Sequence, residues 1–154
     1  MDPWAMISAT TESILVTDID LDRPGPTVVF VNPAFEKMTG WTHDEIRVRS
    51  PRLLQGANTD LTAFSGLKEK LQKGEQWDGM AINYRKDGSE FVMEWSIAPV
   101  WNMDGEITNF IAVQRDVTAR VKAENALQKA QEAVIAGLKQ RQEIRETFGG
   151  FVPK

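Results

Sequence analysis

The chain has 154 residues, 18 Lys/Arg against 22 Asp/Glu for a net charge of −4, and no cysteine. Without cysteine there is no disulfide, thiolate zinc site, cysteine nucleophile or thiol switch, and with His43 as the only histidine a histidine metal centre or Ser-His triad lacks parts. The length suits one domain with an appendage, the mildly acidic balance argues against nucleic-acid binding, and no apolar run reaches the ~18 residues of a membrane span.

The start, Met1-Asp-Pro-Trp4, lacks the basic and apolar regions of a signal peptide, so the expectation is a soluble cytoplasmic chain. Residues 1–13 read as a short amphipathic cap around Trp4-Ala-Met-Ile7. Ile14–Thr17 and Thr27–Val31 are β-branched runs separated by Asp22-Arg-Pro-Gly-Pro26, which predicts a hairpin. Pro33–Met38 predicts a short helix closed by Gly40. Thr42-His-Asp-Glu45 is a capping box opening the next helix, with His43 exposed beside its cap. Ser50-Pro51 marks a further helix start. Leu61, Phe64, Leu67 and Leu71 recur at helical spacing and predict one helix over Asp60–Lys73, stopped by Gly74.

Three strands follow, Met80–Arg85, Phe91–Val100 and Asn109–Arg115, the first two joined by the hairpin signal Lys86-Asp-Gly-Ser89. Proline is then absent until Pro153, and residues 119–148 read as one long helix. Charge changes at the same place: residues 1–118 carry 11 Lys/Arg against 18 Asp/Glu, a net −7, and residues 119–154 carry 7 against 4, a net +3. Strands at both ends with helices between predict an α+β fold with a largely antiparallel sheet.

Period two places Phe91, Met93, Trp95 and Ile97 on one sheet face with Phe110, Ala112 and Gln114, and with Ala81 and Asn83. The opposite face carries Met80, Ile82, Tyr84, Val92, Ala98, Val100, Ile111 and Val113. Both faces are apolar, although an antiparallel sheet usually wets one side. The second face therefore needs a cover: the N-terminal segment, the long helix or another copy of the chain. On the first face, the carboxamides of Asn83 and Gln114 are costly to bury unless bonded. They either bond each other or the backbone, or they form the polar edge of a pocket for a flat ligand with a ring amide.

The run Val31-Asn-Pro-Ala-Phe-Glu-Lys-Met-Thr-Gly-Trp-Thr-His-Asp-Glu-Ile46 resembles the opening of a PAS domain. Ser50-Pro-Arg-Leu-Leu-Gln-Gly-Ala-Asn-Thr-Asp60 resembles the signature of the flavin-binding LOV (light-oxygen-voltage) subfamily, and the likeness extends through Ile82-Asn-Tyr84 and Phe110–Asp116. It implies a PAS fold over residues 14–118, with a five-stranded antiparallel sheet and short helices on one face, and a bound flavin, FMN with FAD as the alternative. By position, Arg52 would meet the flavin phosphate, as a guanidinium fork suits. Lys68 stands at a second phosphate position, with the charge but not the fork. Thr17 and Gln55 match pocket positions, Asn83 the pyrimidine edge of the ring, and Gln114 the glutamine near ring N5. Leu54, Leu71, Ile97 and Phe110 would wall the ring.

Three positions depart from the pattern. Pro51 stands where the LOV cysteine bonds the excited flavin, so no adduct forms there. Met93 replaces a second asparagine at the pyrimidine edge, a loss of ~0.5–1.5 kcal/mol or about tenfold in affinity. Ser50 replaces the asparagine before the cysteine. The implied photochemistry is electron transfer: photoreduction of the flavin to a radical, with Trp95, Trp41, Trp77 and Tyr84 as donors and Gln114 rotating its amide as N5 turns from acceptor to donor. The competing expectations are a PAS dimerisation module with another ligand or none, and a dark redox sensor holding FAD.

Asp116-Val-Thr118 resembles the PAS exit motif and caps the long helix. In that helix one heptad phase collects Leu127, Ala130, Val134, Ile144 and Phe148, and another Leu127, Val134, Leu138 and Phe148. Each has polar flaws, which suits either a solvated helix or a parallel dimeric signalling helix with two registers. Residues 149–154 read as the start of a linker to an effector. Glu146–Lys154 resembles the segment before class III nucleotide cyclase domains, with histidine kinase or diguanylate cyclase as other outputs. The expectation is therefore a sensory domain without catalytic residues, acting as a homodimer through the sheet face and the helix on an effector in cis, and contacting neither nucleic acid nor membrane.

Overall fold

The strands are β1 (Ser13–Thr17), β2 (Val28–Val31), β3 (Trp77–Tyr84), β4 (Glu90–Trp101) and β5 (Ile107–Asp116). They form one sheet in the order β2-β1-β5-β4-β3, every neighbouring pair antiparallel. This is the PAS fold. The structure is a computed structural model that describes residues 2–149. The linker expected at 149–154 lies outside the described residues, save Gly149 at the end of the last helix.

The helices are α1 (Pro3–Ala9), α2 (Pro33–Thr39), α3 (His43–Ile46), α4 (Leu67–Gln72) and α5 (Thr118–Gly149), with 3₁₀ helices at Pro51–Leu54 and Leu61–Phe64. Local rules account for most of their ends. Asn32 caps α2 and Gly40 closes it in the left-handed conformation at φ 79°. Thr42 and Glu45 form the capping box of α3. Ser50 accepts from the Arg52 amide ahead of Pro51, but the turn it opens is 3₁₀.

The single helix expected over Asp60–Lys73 is two pieces. Asp60 caps a 3₁₀ turn, and Gly66 at φ 83° breaks the chain before α4. Leu61 of the first piece is exposed, whereas Leu71 of α4 is buried, so the helical spacing of the sequence does not mark one continuous buried face. β3 starts at Trp77, earlier than the sequence suggests: Asp78 and Gly79 are weak strand residues, and pairing with Ser96 and Trp95 overrides them.

Asn32 joins three elements. Its Oδ1 accepts from the Ile14 and Phe35 amides, and its Nδ2 donates to the Ile7 and Glu12 carbonyls. A fully buried carboxamide is tolerable because all its capacity is used. The core lies between the inner sheet face and α2 to α4, where Leu15, Val28, Val31, Phe35, Ile46, Leu54, Ala81, Phe91, Met93 and Trp95 pack together.

On the outer face, Trp4 of α1 packs on Phe30 with centroids 4.6 Å apart and the planes tilted by 33°. Met80 and Val100 remain exposed there. His43, expected to be exposed, is half-buried against Phe30, with ring centroids 5.3 Å apart. The chain divides into a unit ending at Thr118 and a second comprising α5 from Ala119. Along α5, Leu127, Val134, Ile135, Leu138, Ile144 and Phe148 are all exposed. Among the described residues no helix is long and apolar enough to cross a membrane.

Candidate functional site

A cavity of about 320 Å³ lies against the inner face of the sheet. Alternation along the strands delivers Thr17 from β1, Asn83 from β3, Met93, Trp95 and Ile97 from β4, and Phe110 and Gln114 from β5. The 3₁₀ helix at Pro51–Leu54 supplies Pro51, Arg52 and Leu54, Gln55 follows it, and α4 supplies Lys68 and Leu71. The positions matched to the pocket, and Pro51 with them, therefore line one cavity, whereas Ser50 lies outside it. Leu15, Leu21, Pro26, Phe64, Leu67 and Ala112 line it as well. Of these, Leu15 was within reach of strand alternation with Thr17. Leu21 and Pro26 sit in an irregular loop, where no periodicity announces them.

The buried end is polar and incompletely satisfied. Asn83 is 5% exposed and Gln114 7%. Asn83 Nδ2 donates to the Met93 sulfur at 3.3 Å, a weak acceptor, while Asn83 Oδ1 has no partner. Gln114 Oε1 is likewise buried without a partner. The carboxamides thus bond neither each other nor the backbone through these oxygens. Ser13, opposite Gln114 in the β1–β5 register, also has an unpartnered hydroxyl. Thr17 is already engaged, its hydroxyl donating to the Asp18 carbonyl at 2.8 Å.

The other end is cationic. Arg52 Nε donates to the Gly25 carbonyl at 2.8 Å and Nη2 to that of Leu21 at 3.1 Å, which anchors the 21–25 loop. Among the described residues no carboxylate pairs with it. Burial, and then the nearby Arg23 charge, lower its pKa from the ordinary value. Arg23 is a cation at this end that the sequence did not single out. Lys68 is engaged by Asp22 at 2.5 Å, a hydrogen bond and charge that raise its pKa.

The aromatic side chains separate into two groups. Trp95 is 4% exposed, and Phe64 stacks on it at 5.0 Å with the planes 1° apart. Its indole Nε1 is unpartnered, as is that of Trp77, which packs against the same cluster. Trp41 lies instead beneath Arg49 and Lys86, and the Tyr84 hydroxyl accepts from the Asn58 amide and donates to Glu90. Neither lines the cavity. Gly79 is a close-approach glycine: a Cβ there would meet the Trp95 ring at 2.6 Å.

Apolar walls, unpaired acceptors at the buried end and cations at the other suit a flat ligand with an N–H edge and an anionic tail. With the antiparallel sheet behind it, the cavity sits in an α+β domain. The sequence matches the PAS domain family over residues 11–119, and the chain belongs to that family.

Blue-light-activated histidine kinases of Brucella ovis and Brucella melitensis are 36% identical over 129 residues, 83% of this chain and 26% of theirs. A nitrogen fixation regulatory protein of Klebsiella oxytoca is 28% identical over 124 residues, 80% of this chain and 24% of its own. The chain thus spans about a quarter of the length of these curated relatives. Among solved structures, an RNA-binding light-oxygen-voltage receptor superposes with a TM-score of 0.73 at 30% identity, covering 83% of this chain and 36% of that one. The light-state structure of the Aureochrome1 LOV blue-light photoreceptor superposes with a TM-score of 0.65 at 27% identity, covering 84% and 99%.

Proposed function

We propose that this PAS domain binds a flavin and senses blue light or redox state through it. The observation that carries the reading is the pair of unpartnered acceptors, Asn83 Oδ1 and Gln114 Oε1, inside the cavity. Leaving Asn83 Oδ1 unmade costs ~1–3 kcal/mol, which a ligand N–H recovers, while the unheld Gln114 amide can turn to give its N–H to an acceptor nitrogen or its oxygen to an N–H. The likeness to blue-light photoreceptors supports the same ligand.

A bound flavin supplies a blue-absorbing ring that accepts an electron and, at N5, a proton. Asn83 meets its pyrimidine edge, Leu54, Leu71, Ile97 and Phe110 wall it, and Thr17 and Gln55 complete the pocket. Arg52 and Lys68 hold an anionic tail, for which FMN is the expected ligand and FAD the alternative. Pro51 offers no nucleophile, so the response runs without a covalent bond to the protein. Trp95 is the donor of choice among the candidates because it alone of the four lines the cavity, with Trp77 next to it. Gln114, whose amide no side-chain hydrogen bond holds in place among the described residues, would answer a proton gained at N5 by rotating. Dark reduction by a chemical donor reaches the same state, because no thiol step is involved.

Output passes along β5 to α5 and an effector in cis. A homodimer through the outer sheet face and α5 fits the exposed Met80, Val100, Leu127, Val134 and Leu138. The effector is a nucleotide cyclase on the resemblance of Glu146–Lys154, or a histidine kinase on the likeness to the Brucella proteins.

The absorption spectrum of the purified chain tests the ligand: a colourless preparation that takes up neither FMN nor FAD overturns the reading. For the mechanism, Gln114→Leu is expected to keep the flavin spectrum and lose the light-driven change in α5 helicity. A full change in that variant would remove Gln114 from the route.

A further inference from the structure

We propose that Met93 is a light-dependent modification site, its thioether oxidised to the sulfoxide by peroxide formed inside the cavity. The inference rests on the flavin reading and goes beyond it.

The methionines differ sharply in access. Met103 is 104% exposed, Met6 59% and Met80 46%, whereas Met93 is 1% exposed. Met93 is also the one methionine among the described residues that lines the cavity. Its sulfur lies 3.3 Å from Asn83 Nδ2, and it shares the β4 inner face with Trp95. An oxidant arriving from bulk solvent meets Met103 first and Met93 last. An oxidant born in the cavity meets Met93 first. The order of methionine oxidation therefore reports where the oxidant is made.

The chain has no cysteine and Pro51 has no nucleophile, so no adduct consumes the excited ring, and the acceptor proposed for electrons placed on it is dissolved dioxygen. Dioxygen takes two electrons and two protons and becomes hydrogen peroxide. The electrons come from an external thiol-class reductant through Trp95, two thiols releasing two electrons and two protons as they join in a disulfide. The peroxide passes one oxygen to the Met93 sulfur and leaves as water. In sum, a thioether, dioxygen and two thiols give a sulfoxide, water and a disulfide.

The product puts a strong acceptor beside Asn83 Nδ2, in place of a weak one. Burial keeps repair enzymes from reaching it. Each folded molecule thus carries a lasting mark of having been lit in air.

The test is peptide mass mapping of the flavin-loaded chain. Reagent peroxide in the dark is expected to oxidise Met103, Met6 and Met80 ahead of Met93. Blue light in air with a thiol is expected to invert that order, Met93 gaining one oxygen severalfold faster than Met103. Exclusion of dioxygen abolishes the gain. Catalase in the buffer protects Met103 but not Met93. Met93→Leu, a near volume-conserving change, removes the gain at that peptide alone. A yellow protein whose methionines follow the same order in light as in reagent peroxide overturns the proposal, as does equal protection of Met93 by catalase. A preparation that remains colourless after incubation with flavin overturns the flavin reading, and is recognised before any illumination.

Discussion

Arg85 Nη2 and Asp116 Oδ2 pair at 2.6 Å across the end of the sheet, 31 residues apart in the chain. The guanidinium lies over the buried Phe91 ring at 4.6 Å, and its Nε donates to the Met38 carbonyl. Asp116 in turn accepts from the amide and hydroxyl of Thr118, where α5 begins. Asn83 lies two residues before Arg85, and Gln114 two before Asp116. The carboxamides of the cavity are thus one strand repeat from the ion pair at the root of α5.

Burial pulls the Asp116 carboxyl upward, but the Thr118 hydrogen bonds and the Arg85 charge outweigh it and leave the group below its ordinary value. An acid lowered in the folded state contributes stability above its unfolded pKa, and that contribution fades as pH falls through the folded value. Asp116→Asn is therefore expected to cost roughly 0.5–1.5 kcal/mol at neutral pH. It should also flatten the acid limb of stability below about pH 4. Urea melts across pH measure both, and hydrogen exchange at the Thr118 amide reads the loosened helix start.

Met93→Asn adds a third carboxamide at the buried end, next to Asn83. Without ligand that amide is one more unpaired group, and the melting temperature of the apoprotein should fall. With flavin it gains a partner worth ~0.5–1.5 kcal/mol, and affinity should rise about tenfold. Fluorescence titration with FMN and paired melts give the two signs, and a fall in both would place the ring elsewhere.

Lys68 is held by Asp22, so part of its charge is withheld from a ligand tail. Asp22→Asn is expected to release it and raise the preference for FMN over riboflavin severalfold, with riboflavin affinity itself little changed. Competition binding at two salt concentrations checks this, because an electrostatic gain shrinks as salt rises.

Gly79→Ala would set a methyl group 2.6 Å from the Trp95 ring. The indole is packed against Phe64 and has little room to yield, so a loss of about 1–3 kcal/mol is expected. The shift in Trp95 packing should alter tryptophan fluorescence and lower the melting temperature together.

The strand faces were legible because side chains alternate in any strand: Met93, Trp95 and Ile97 reach the cavity as period two demands. The caps at Asn32, Thr42 and Gly40 act within a few residues of themselves. Over Asp60–Lys73 the periodicity predicts one helix where there are two pieces, because it does not register the left-handed turn at Gly66. His43 looked free because nothing near it in sequence reveals Phe30. The site residues came from motif resemblance, but their present partners could not, since Lys68 meets Asp22 across 46 positions and Arg52 meets Leu21 across 31.

By itself the sequence determined the α+β order of elements, the absence of any thiol and the inner-face set that includes Asn83, Met93, Trp95 and Gln114. These follow from composition and from side-chain direction, which is a local property of the backbone. Only the tertiary structure decided which polar atoms stay unpaired. It spends the Thr17 hydroxyl on Asp18 and the Asn83 amide on sulfur, and leaves Asn83 Oδ1 and Gln114 Oε1 open. The physical reason is that satisfaction of a hydrogen bond depends on what distant segments bring within reach, and no local rule contains that information.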